Sequence, residues 1–230
     1  MKIYICSIEG LADAASYDAA SLKIAKCRRD KLSKIRGEAD RRRSVCAGLL
    51  LNYAVAAYKA EAADAGTDET PELPEECHGR EKHIQEFNVQ ELHLQKLLET
   101  APQSYAYKQE GNSKPYIEDL PGFYFSLSHS GEYVLCVCDS NKVGADLQCM
   151  NRAVKDTLAK KVMTENEYGI YMELPQQDKE KEFYRVWAIK ESFCKLTGKG
   201  LSQDFRKIEV EKINCYASLF KEEYWLAISR

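Results

Sequence analysis

Short stretches of this chain alternate apolar and polar residues, which is the period of a strand with one buried face. The stretches with this pattern are predicted as strands: Lys2–Ile8, Tyr124–Leu127, Tyr133–Asp139, Val143–Gln148, Lys207–Ile213, Tyr216–Phe220 and Tyr224–Ser229. Predicted strands therefore occur in both halves of the chain.

Helical periodicity fills several of the segments between these strands. Ser44–Lys59 is apolar on almost every side and predicts a buried helix. Ala19–Ile35 predicts a helix with its basic residues turned outward, and Arg152–Met163 predicts another. The longest helix is predicted over Glu180–Thr197, after a polar loop at Pro175–Asp178. Each half thus combines strands and helices, which predicts an α/β (α+β) fold.

The helix predicted over 180–197 has two different faces. Its apolar stripe consists of Val186, Ile189, Phe193 and Leu196. Trp187, Glu191 and Lys195 follow at i, i+4 and i+8 on another face, so a carboxylate and an ammonium project from a helix anchored in a core. Taken alone, the helix favours the simpler interpretation of an exposed Glu–Lys pair, worth about 0.3–0.5 kcal/mol.

The predicted strand Val143–Gln148 changes that balance. Asp146 and Gln148 point to one face, and Gly144 leaves the same face bare near the start of the strand. Mg²⁺ is usually held by one or two carboxylates, waters and substrate phosphates. This face therefore indicates a binding site for a hard cation and a bulky anion. The alternative is a polar edge face of a sheet.

The composition, 44% hydrophobic and 30% charged residues over 230 positions, is typical of a globular protein with one or two domains. The sequence contains no apolar run long enough to span a bilayer and no recognisable secretory signal peptide. Its nine cysteines are scattered without a CxxC pair, which favours free thiols in a reducing compartment. We therefore expect a cytoplasmic protein that does not bind a membrane.

Basic residues crowd into the stretch Lys23–Arg43, although the net charge of the chain is −3. The stretch is either a solvated helix surface or a surface that binds phosphate. The small negative net charge favours a discrete phosphate over a polyanion, so we expect no nucleic-acid binding.

The stretch from about 60 to 107 has a different character. Ala60–Gly79 is rich in acidic residues, glycine and proline, which predicts a loop or a partly disordered insertion. Asn88–Glu99 predicts a short helix or strand. The potential zinc ligands of this stretch match no strong zinc spacing: Cys77, His78, His83 and His93.

Several motifs together resemble the 4′-phosphopantetheinyl transferases of the larger, surfactin-synthetase-activating type. In chain order they are Lys114–Ile117, Phe125–Gly131, Val143–Asp146, Trp187–Lys195 and Gly198–Leu201. Their order and spacing agree across residues 114–201, and the combination is specific where any one motif would be weak.

The resemblance implies an architecture. It implies two similar α/β halves related by a pseudo-twofold, with the substrate cleft between them and the join near Ser140–Lys142. The expected domains are residues 1–141, which include the basic segment and a variable insertion at about 60–107, and residues 142–230. In the family the 60–107 stretch is usually shorter.

The resemblance also implies an activity. It is the transfer of 4′-phosphopantetheine from coenzyme A to a serine of an apo acyl or peptidyl carrier protein, with release of adenosine 3′,5′-bisphosphate. Mg²⁺ would be the cofactor, held by Asp146, Gln148 and Glu191. Glu191 would accept the serine proton, and Lys195 would stabilise the departing phosphate oxygen. We expect a monomer.

Coenzyme A contacts are carried over from the family by position. They are Arg28, Lys31, Arg43, Lys114, Ser128, His129 and Lys195. Lys34 or Arg42 remain alternatives within the basic stretch. Without the resemblance, a histidine between two serines in a tight loop is more often a local hydrogen-bond partner.

Gln148 departs from the family pattern, because many relatives have a carboxylate at this position. An amide oxygen can still bind magnesium or orient a water, but it carries no charge. The departure keeps a second interpretation open, a non-catalytic module that binds coenzyme A or a carrier protein. The intact Asp146, Glu191 and Lys195 argue against that module.

Overall fold

The structure, a computed structural model, describes residues 1–64, 89–100, 104–109, 114–198 and 203–230. Its strands are β1 (Lys2–Ser7), β2 (Val89–Leu92), β3 (Tyr124–Ser130), β4 (Tyr133–Asp139), β5 (Gly144–Cys149), β6 (Cys215–Phe220) and β7 (Tyr224–Ser229). Its α-helices are α1 (Ala14–Lys23), α2 (Lys26–Leu32), α3 (Glu38–Asp64), α4 (Leu94–Thr100), α5 (Asp156–Val162), α6 (Glu165–Glu173) and α7 (Gln176–Thr197). The mixture confirms the predicted α/β (α+β) class.

The strands form two sheets. The first has the order β2-β1-β4-β3, in which β1 and β2 are parallel and the other neighbours are antiparallel. The second is antiparallel and has the order β5-β7-β6. Because β1–β4 precede Ser140 and β5–β7 follow it, each sheet is built from one half of the chain. The pseudo-twofold between the halves stays a prediction.

Side-chain alternation along the strands places the core in layers. On β1, Ile3 and Ile5 pack between the two sheets, whereas Tyr4 and Cys6 pack against helices of the first half, including α3. On β7, Ala227 faces outward and packs with residues of α5, α6 and α7. The order of layers is therefore helices, sheet, sheet, helices, and the outer face of β5 is the face that meets α7.

The edge strands β3 and β5 meet through a serine ladder, which consists of Ser126, Ser128 and Ser130. The Oγ atoms of the ladder accept backbone N–H bonds at 2.9, 3.2 and 2.9 Å from, respectively, Ala145, Leu147 and Cys149. Side-chain hydroxyls thus accept hydrogen bonds from the backbone N–H groups at the β5 edge of the second sheet, which would otherwise need a neighbouring strand.

Gly144 is the point at which α7 lies closest to β5. A Cβ atom there would be 2.0 Å from Ser192 O and 2.4 Å from Leu196 N. The interpretation of Gly144 as a bare seat for a cation and an anion is therefore wrong, because helix backbone fills that space. The glycine instead permits close helix–strand packing, which brings Glu191 and Lys195 over the strand.

The helix predicted over Ala19–Ile35 is in fact two helices, α1 and α2. They are separated at Ile24 and Ala25, which both have extended ψ angles. Ile24 is buried and packs so closely on Gly48 of α3 that a Cβ at Gly48 would lie 2.6 Å from Ile24 Cγ2. The break therefore has a tertiary cause that the local sequence does not contain.

Two other helices begin at different places than predicted. α7 begins at Gln176, so the predicted loop Pro175–Asp178 is wrong, and Pro175 occupies the N-cap. α5 begins at Asp156 instead of Arg152. The buried helix predicted over 44–59 lies inside the longer α3. Within the described residues, no helix combines the length and the apolar character needed to cross a membrane.

The segment Lys207–Ile213 is not the predicted strand. It falls in two short 3₁₀ turns, Phe205–Lys207 and Val210–Lys212. Ile208 and Ile213 are buried, which explains the strand-like hydrophobic pattern. The backbone N–H of Val210 donates to Glu167 Oε1 at 2.9 Å, so a side chain takes the place of a strand partner.

The insertion predicted at about 60–107 is described only in part. Residues 60–64 complete α3, so the predicted loop begins as helix, and residues 89–100 contribute both β2, which pairs parallel with β1, and α4. The predicted features that lie outside the described residues include the rest of the predicted loop at 65–79, with Cys77 and His78, and also His83 and Lys199–Leu201.

Candidate active site

Asp146 lies at the centre of the candidate site. It points from β5 toward α7 and is only 2% exposed. Its Oδ1 accepts hydrogen bonds from Lys195 Nζ at 2.5 Å and from Ser128 Oγ at 2.8 Å. Its Oδ2 accepts a bond from Gln148 Nε2 at 2.9 Å. These charge-assisted bonds offset the cost of burying the carboxylate.

Glu191 lies one turn before Lys195 on α7 and is partly buried. Burial raises the pKa of the Glu191 carboxyl to about 7, with repulsion from Asp146 adding to the shift and Lys195 opposing it. A carboxyl with this pKa can exchange a proton near neutral pH.

Ser128 and His129 lie in β3 and not in the predicted loop, because the strand continues to Ser130. Successive strand residues face opposite ways, so Ser128 turns into the site while the His129 ring is exposed. Protein atoms around the inner side of the ring still displace water, and this desolvation lowers the pKa of His129. The Arg43 and Lys195 cations lower that pKa further.

A cleft of about 520 Å³ adjoins these residues. This volume is within the range of small-molecule sites, roughly 300–1,000 Å³. Its walls come from both halves of the chain and include Arg43, His129, Gln148, Tyr184 and Trp187. A smaller cavity of about 270 Å³ beside α6 and α7 contains none of the predicted site residues. The larger cleft is therefore the candidate substrate cleft.

Arg43 is a fixed cation in the wall of this cleft. Its Nη1 donates to Gly131 O at 2.7 Å and its Nη2 to Asp40 Oδ1 at 2.5 Å. His129 lines the same cleft, and its pKa responds to the Arg43 charge. A held guanidinium beside an imidazole can bind a phosphate group.

Arg28 and Lys31 lie elsewhere, where both contact the ring of Tyr107. The Arg28 guanidinium carbon is 5.3 Å from the ring centroid, and Lys31 Nζ is 5.8 Å from it. Neither lines the candidate cleft. Arg42, one of the alternatives, pairs with Glu38 on the surface of α3. Of the three residues of the basic stretch that were carried over from the family, the structure brings Arg43 to the cleft.

Lys114 is engaged with backbone oxygens. Its Nζ donates to Val143 O and, at 3.2 Å, to Lys195 O. Burial, and then the charge of Lys195, lower the pKa of Lys114 to about 8. The amine thus ties the segment before β3 to the start of β5 and the end of α7, and it does not line the cleft.

Asp146, Gln148 and Glu191 offer donors that magnesium prefers, two carboxylates and an amide oxygen. An ionised carboxylate has about four lone-pair positions, and Asp146 uses three of them on Lys195, Ser128 and Gln148. Burial, and then the charge of Asp146, raise the pKa of Glu191, and a bound cation would offset the repulsion between the two carboxylates. The donor set therefore fits a divalent cation, although no cluster of three His, Cys, Asp or Glu side chains occurs in the described ranges.

Sequence reasoning missed two supports of this site. Lys190 of α7 is fully buried and donates to Glu167 Oε2 at 2.5 Å and to two backbone oxygens at 2.9 and 3.0 Å. These bonds anchor α7 to its neighbours. The serine ladder is the other support, and its signal was present as a serine at every second position from Ser126 to Ser130.

The chain is similar to known proteins over part of its length. Residues 142–227 match the family model of the 4′-phosphopantetheinyl transferase superfamily. Over 96 residues, 42% of this chain, it is 36% identical to 4′-phosphopantetheinyl transferase psf-1 of Bacillus pumilus, covering 41% of that protein. It is 38% identical over 89 residues to 4′-phosphopantetheinyl transferase Sfp of Bacillus subtilis strain 168, covering 39% of each chain.

A third relative extends the similarity beyond bacilli. The chain is 33% identical over 119 residues to 4′-phosphopantetheinyl transferase HetI of a Nostoc species, covering 49% of each chain. The chain thus spans less than half the length of each of these three curated relatives. Asp146, Gln148, Glu191 and Lys195 all lie within the segment that the family model matches. These matches confirm the resemblance to 4′-phosphopantetheinyl transferases, and residues 142–227 are the segment of the chain that is similar to that superfamily.

Proposed function

We propose that the protein is an enzyme that transfers 4′-phosphopantetheine from coenzyme A to a serine of an apo acyl or peptidyl carrier protein. The observation that carries this proposal is the meeting of Asp146 on β5 with Lys195 and Glu191 on α7, beside a cleft and inside the matched segment. The three relatives are named 4′-phosphopantetheinyl transferases, which supports the same activity.

In the proposed reaction, the serine oxygen of the carrier attacks the coenzyme A phosphorus nearer the pantetheine. The bond from that phosphorus to the oxygen bridging the two phosphates breaks, and adenosine 3′,5′-bisphosphate leaves. Glu191 accepts the serine proton, directly or through a water. Lys195 stabilises the negative charge that develops on the departing phosphate oxygen.

Magnesium is the cofactor of this proposal. When bound by Asp146, Gln148 and Glu191, it would neutralise charge on the pyrophosphate. In the cleft, Arg43 and His129 hold the 3′-phosphate end of coenzyme A. This assignment is supported by the position of both residues in the cleft wall.

Mass spectrometry of purified apo carrier proteins tests the activity. With this protein, coenzyme A and magnesium, a carrier should gain one phosphopantetheine mass, and chelation of the metal should stop the gain. The panel should include carriers of fatty-acid, polyketide and nonribosomal-peptide type. Glu191→Gln should lose activity, whereas Glu182→Gln, the same change on the same helix at a residue paired with Arg185, should keep it.

If no carrier is modified, the catalytic proposal is wrong. Calorimetric binding of coenzyme A without turnover would then favour the non-catalytic module. Other parts of the proposal are a domain boundary at 141/142, a monomeric state and a cytoplasmic location. The boundary is supported by β4 ending at Asp139 and β5 beginning at Gly144.

A further inference from the structure

The turn between β3 and β4 forms part of the wall of the candidate cleft. It consists of Gly131 and Glu132, because β3 ends at Ser130 and β4 begins at Tyr133. Gly131 lines the cleft, and its backbone oxygen accepts the 2.7 Å hydrogen bond from Arg43 Nη1. The position of this turn therefore determines where the guanidinium of Arg43 is held.

The hydroxyl of Tyr224 supports this turn from the other half of the chain. Tyr224 begins β7, is 4% exposed and does not line the cleft. Its Oη accepts a hydrogen bond from the backbone N–H of Glu132 at 3.3 Å. Burial raises the pKa of Tyr224 to about 12, so the hydroxyl stays protonated at neutral pH. It also forms a hydrogen bond with the side chain of Cys149, the residue that pairs with Tyr224 on β5.

The glycine at position 131 makes this support possible. Its φ angle is 52°, in the left-handed region that glycine adopts without strain. A Cβ atom there would lie 2.6 Å from Tyr224 Oη and 3.2 Å from Cys149 Sγ. The turn and the hydroxyl are therefore in direct contact, with no space for a side chain between them.

The ring of Tyr224 is held independently of its hydroxyl. It makes edge contacts with the rings of Tyr133 and Phe220, whose centroids are 5.3 and 6.2 Å away. Tyr133 offers an internal comparison, since its own hydroxyl accepts a hydrogen bond from Lys221 Nζ at 2.7 Å. Removal of the Tyr224 hydroxyl should thus affect the turn, whereas removal of the Tyr133 hydroxyl should affect Lys221.

We propose that Tyr224 is a positioning residue for coenzyme A, which acts through the β3–β4 turn and Arg43. Its hydroxyl supports the turn and so keeps the Gly131 oxygen where it holds the Arg43 guanidinium beside the 3′-phosphate. The inference rests on the proposed function for the identity of the ligand. It predicts an effect on coenzyme A binding and not on the transfer step, because the hydroxyl acts on the cleft wall and not on the reacting groups.

Tyr224→Phe removes the hydroxyl and keeps the ring, and Tyr133→Phe is the matched control. In calorimetry, Tyr224→Phe should weaken coenzyme A about 3-fold to 10-fold, the loss expected for one hydrogen bond. It should weaken dephospho-coenzyme A, which lacks the 3′-phosphate, by less than about twofold. In turnover, the KM for coenzyme A should rise by about the factor seen in calorimetry, while kcat changes by less than about twofold. Tyr133→Phe should bind both ligands like wild type.

A double-mutant cycle tests whether Tyr224 acts through Arg43. In an Arg43→Ala background, Tyr224→Phe should have little further effect on coenzyme A affinity, because the group that it positions is already absent. Fully additive losses would overturn the proposal. Equal weakening of coenzyme A and dephospho-coenzyme A would also overturn it, as would a fall in kcat at unchanged KM.

Hydrogen exchange of the Glu132 amide tests the support without any ligand. This amide should exchange several times faster in Tyr224→Phe than in wild type or in Tyr133→Phe, because it loses its acceptor. Equal exchange in the three proteins would overturn the proposal.

The binding results separate this inference from the proposed function. If wild-type protein binds coenzyme A but modifies no carrier, the function fails, whereas a selective loss of coenzyme A binding in Tyr224→Phe still supports the positioning role. If carriers are modified and Tyr224→Phe binds coenzyme A like wild type, the function stands and the positioning role is wrong.

Discussion

Gly144→Ala is the substitution that tests most directly how the fold builds the site. The φ angle of Gly144 lies outside the left-handed region, so alanine is compatible with the backbone. The added Cβ, however, would lie 2.0 Å from Ser192 O, 2.4 Å from Leu196 N and 2.9 Å from Leu196 Cα. All three are backbone atoms of one helix, so no side-chain rotation can relieve the clash, and α7 itself must move.

The size of the movement follows from contact distances. Close contacts between carbon and carbonyl oxygen occur at about 3.3–3.6 Å, so α7 must shift from β5 by about 1.3 Å. Overpacking of this kind costs about 1–3 kcal/mol of unfolding free energy, and each kcal/mol lowers Tm by about 2–4 °C in a chain of this length. The shift also separates Lys195 from Asp146, and a misplacement of about 1 Å can cost roughly 10²-fold in turnover.

Thermal denaturation and carrier modification rates measure the two effects. Gly169→Ala is the matched control, since Gly169 lies in α6 and nothing is within 4 Å of its added Cβ. The unfolding free energy of that control should rise by about 0.5–1 kcal/mol, because alanine is the better helix former. Wild-type Tm in Gly144→Ala would contradict the close approach of α7 to β5. A lower Tm with full turnover would show that the helix shift does not reach the reacting groups.

Three further predictions concern charge. Burial raises the pKa of Glu191 from 4.5 to about 7, so between these values the folded protein holds a proton that the unfolded chain has lost. The unfolding free energy of metal-free protein should therefore fall as pH rises through this window, and Glu191→Gln should flatten the Tm–pH curve; identical curves would contradict the raised pKa. Arg43→Ala should weaken coenzyme A more than dephospho-coenzyme A in calorimetry, whereas Arg42→Ala should weaken neither; equal loss for both ligands would exclude a 3′-phosphate site at Arg43. Gln148→Glu should lower the magnesium concentration for half-maximal activity, since a carboxylate attracts the cation more than an amide, and superimposable titrations would place Gln148 outside the metal shell.

The parts of the site that lie on one element could be predicted from the sequence. Strand alternation places Asp146 and Gln148 on one face, and the structure joins them by a hydrogen bond. Helical spacing places Glu191 and Lys195 on one face of α7, and the structure turns that face toward β5. Both results follow from the local periods of strand and helix, which depend only on nearby residues.

Contacts between distant segments could not be predicted in the same way. The position of Lys114 in the family motif suggested a ligand contact, and the fold directs its amine to backbone oxygens of Val143 and Lys195. Arg28 and Lys31 are basic residues in the expected segment, yet both contact Tyr107. A positive charge allows a side chain to bind an anion or a hydrogen-bond acceptor, but tertiary packing decides which of these it contacts.

The serine ladder explains why the site forms at the seam between the two sheets. Direct pairing of β3 with β5 would satisfy the backbone without using a side-chain hydroxyl. A hydroxyl accepts the strand N–H and retains a hydrogen to donate. At Ser126 that hydrogen is directed to backbone, whereas at Ser128 it is directed to the buried Asp146. The contact that joins the two halves is thus also the contact that orients the carboxylate, so loosening the seam and disordering the site should occur together.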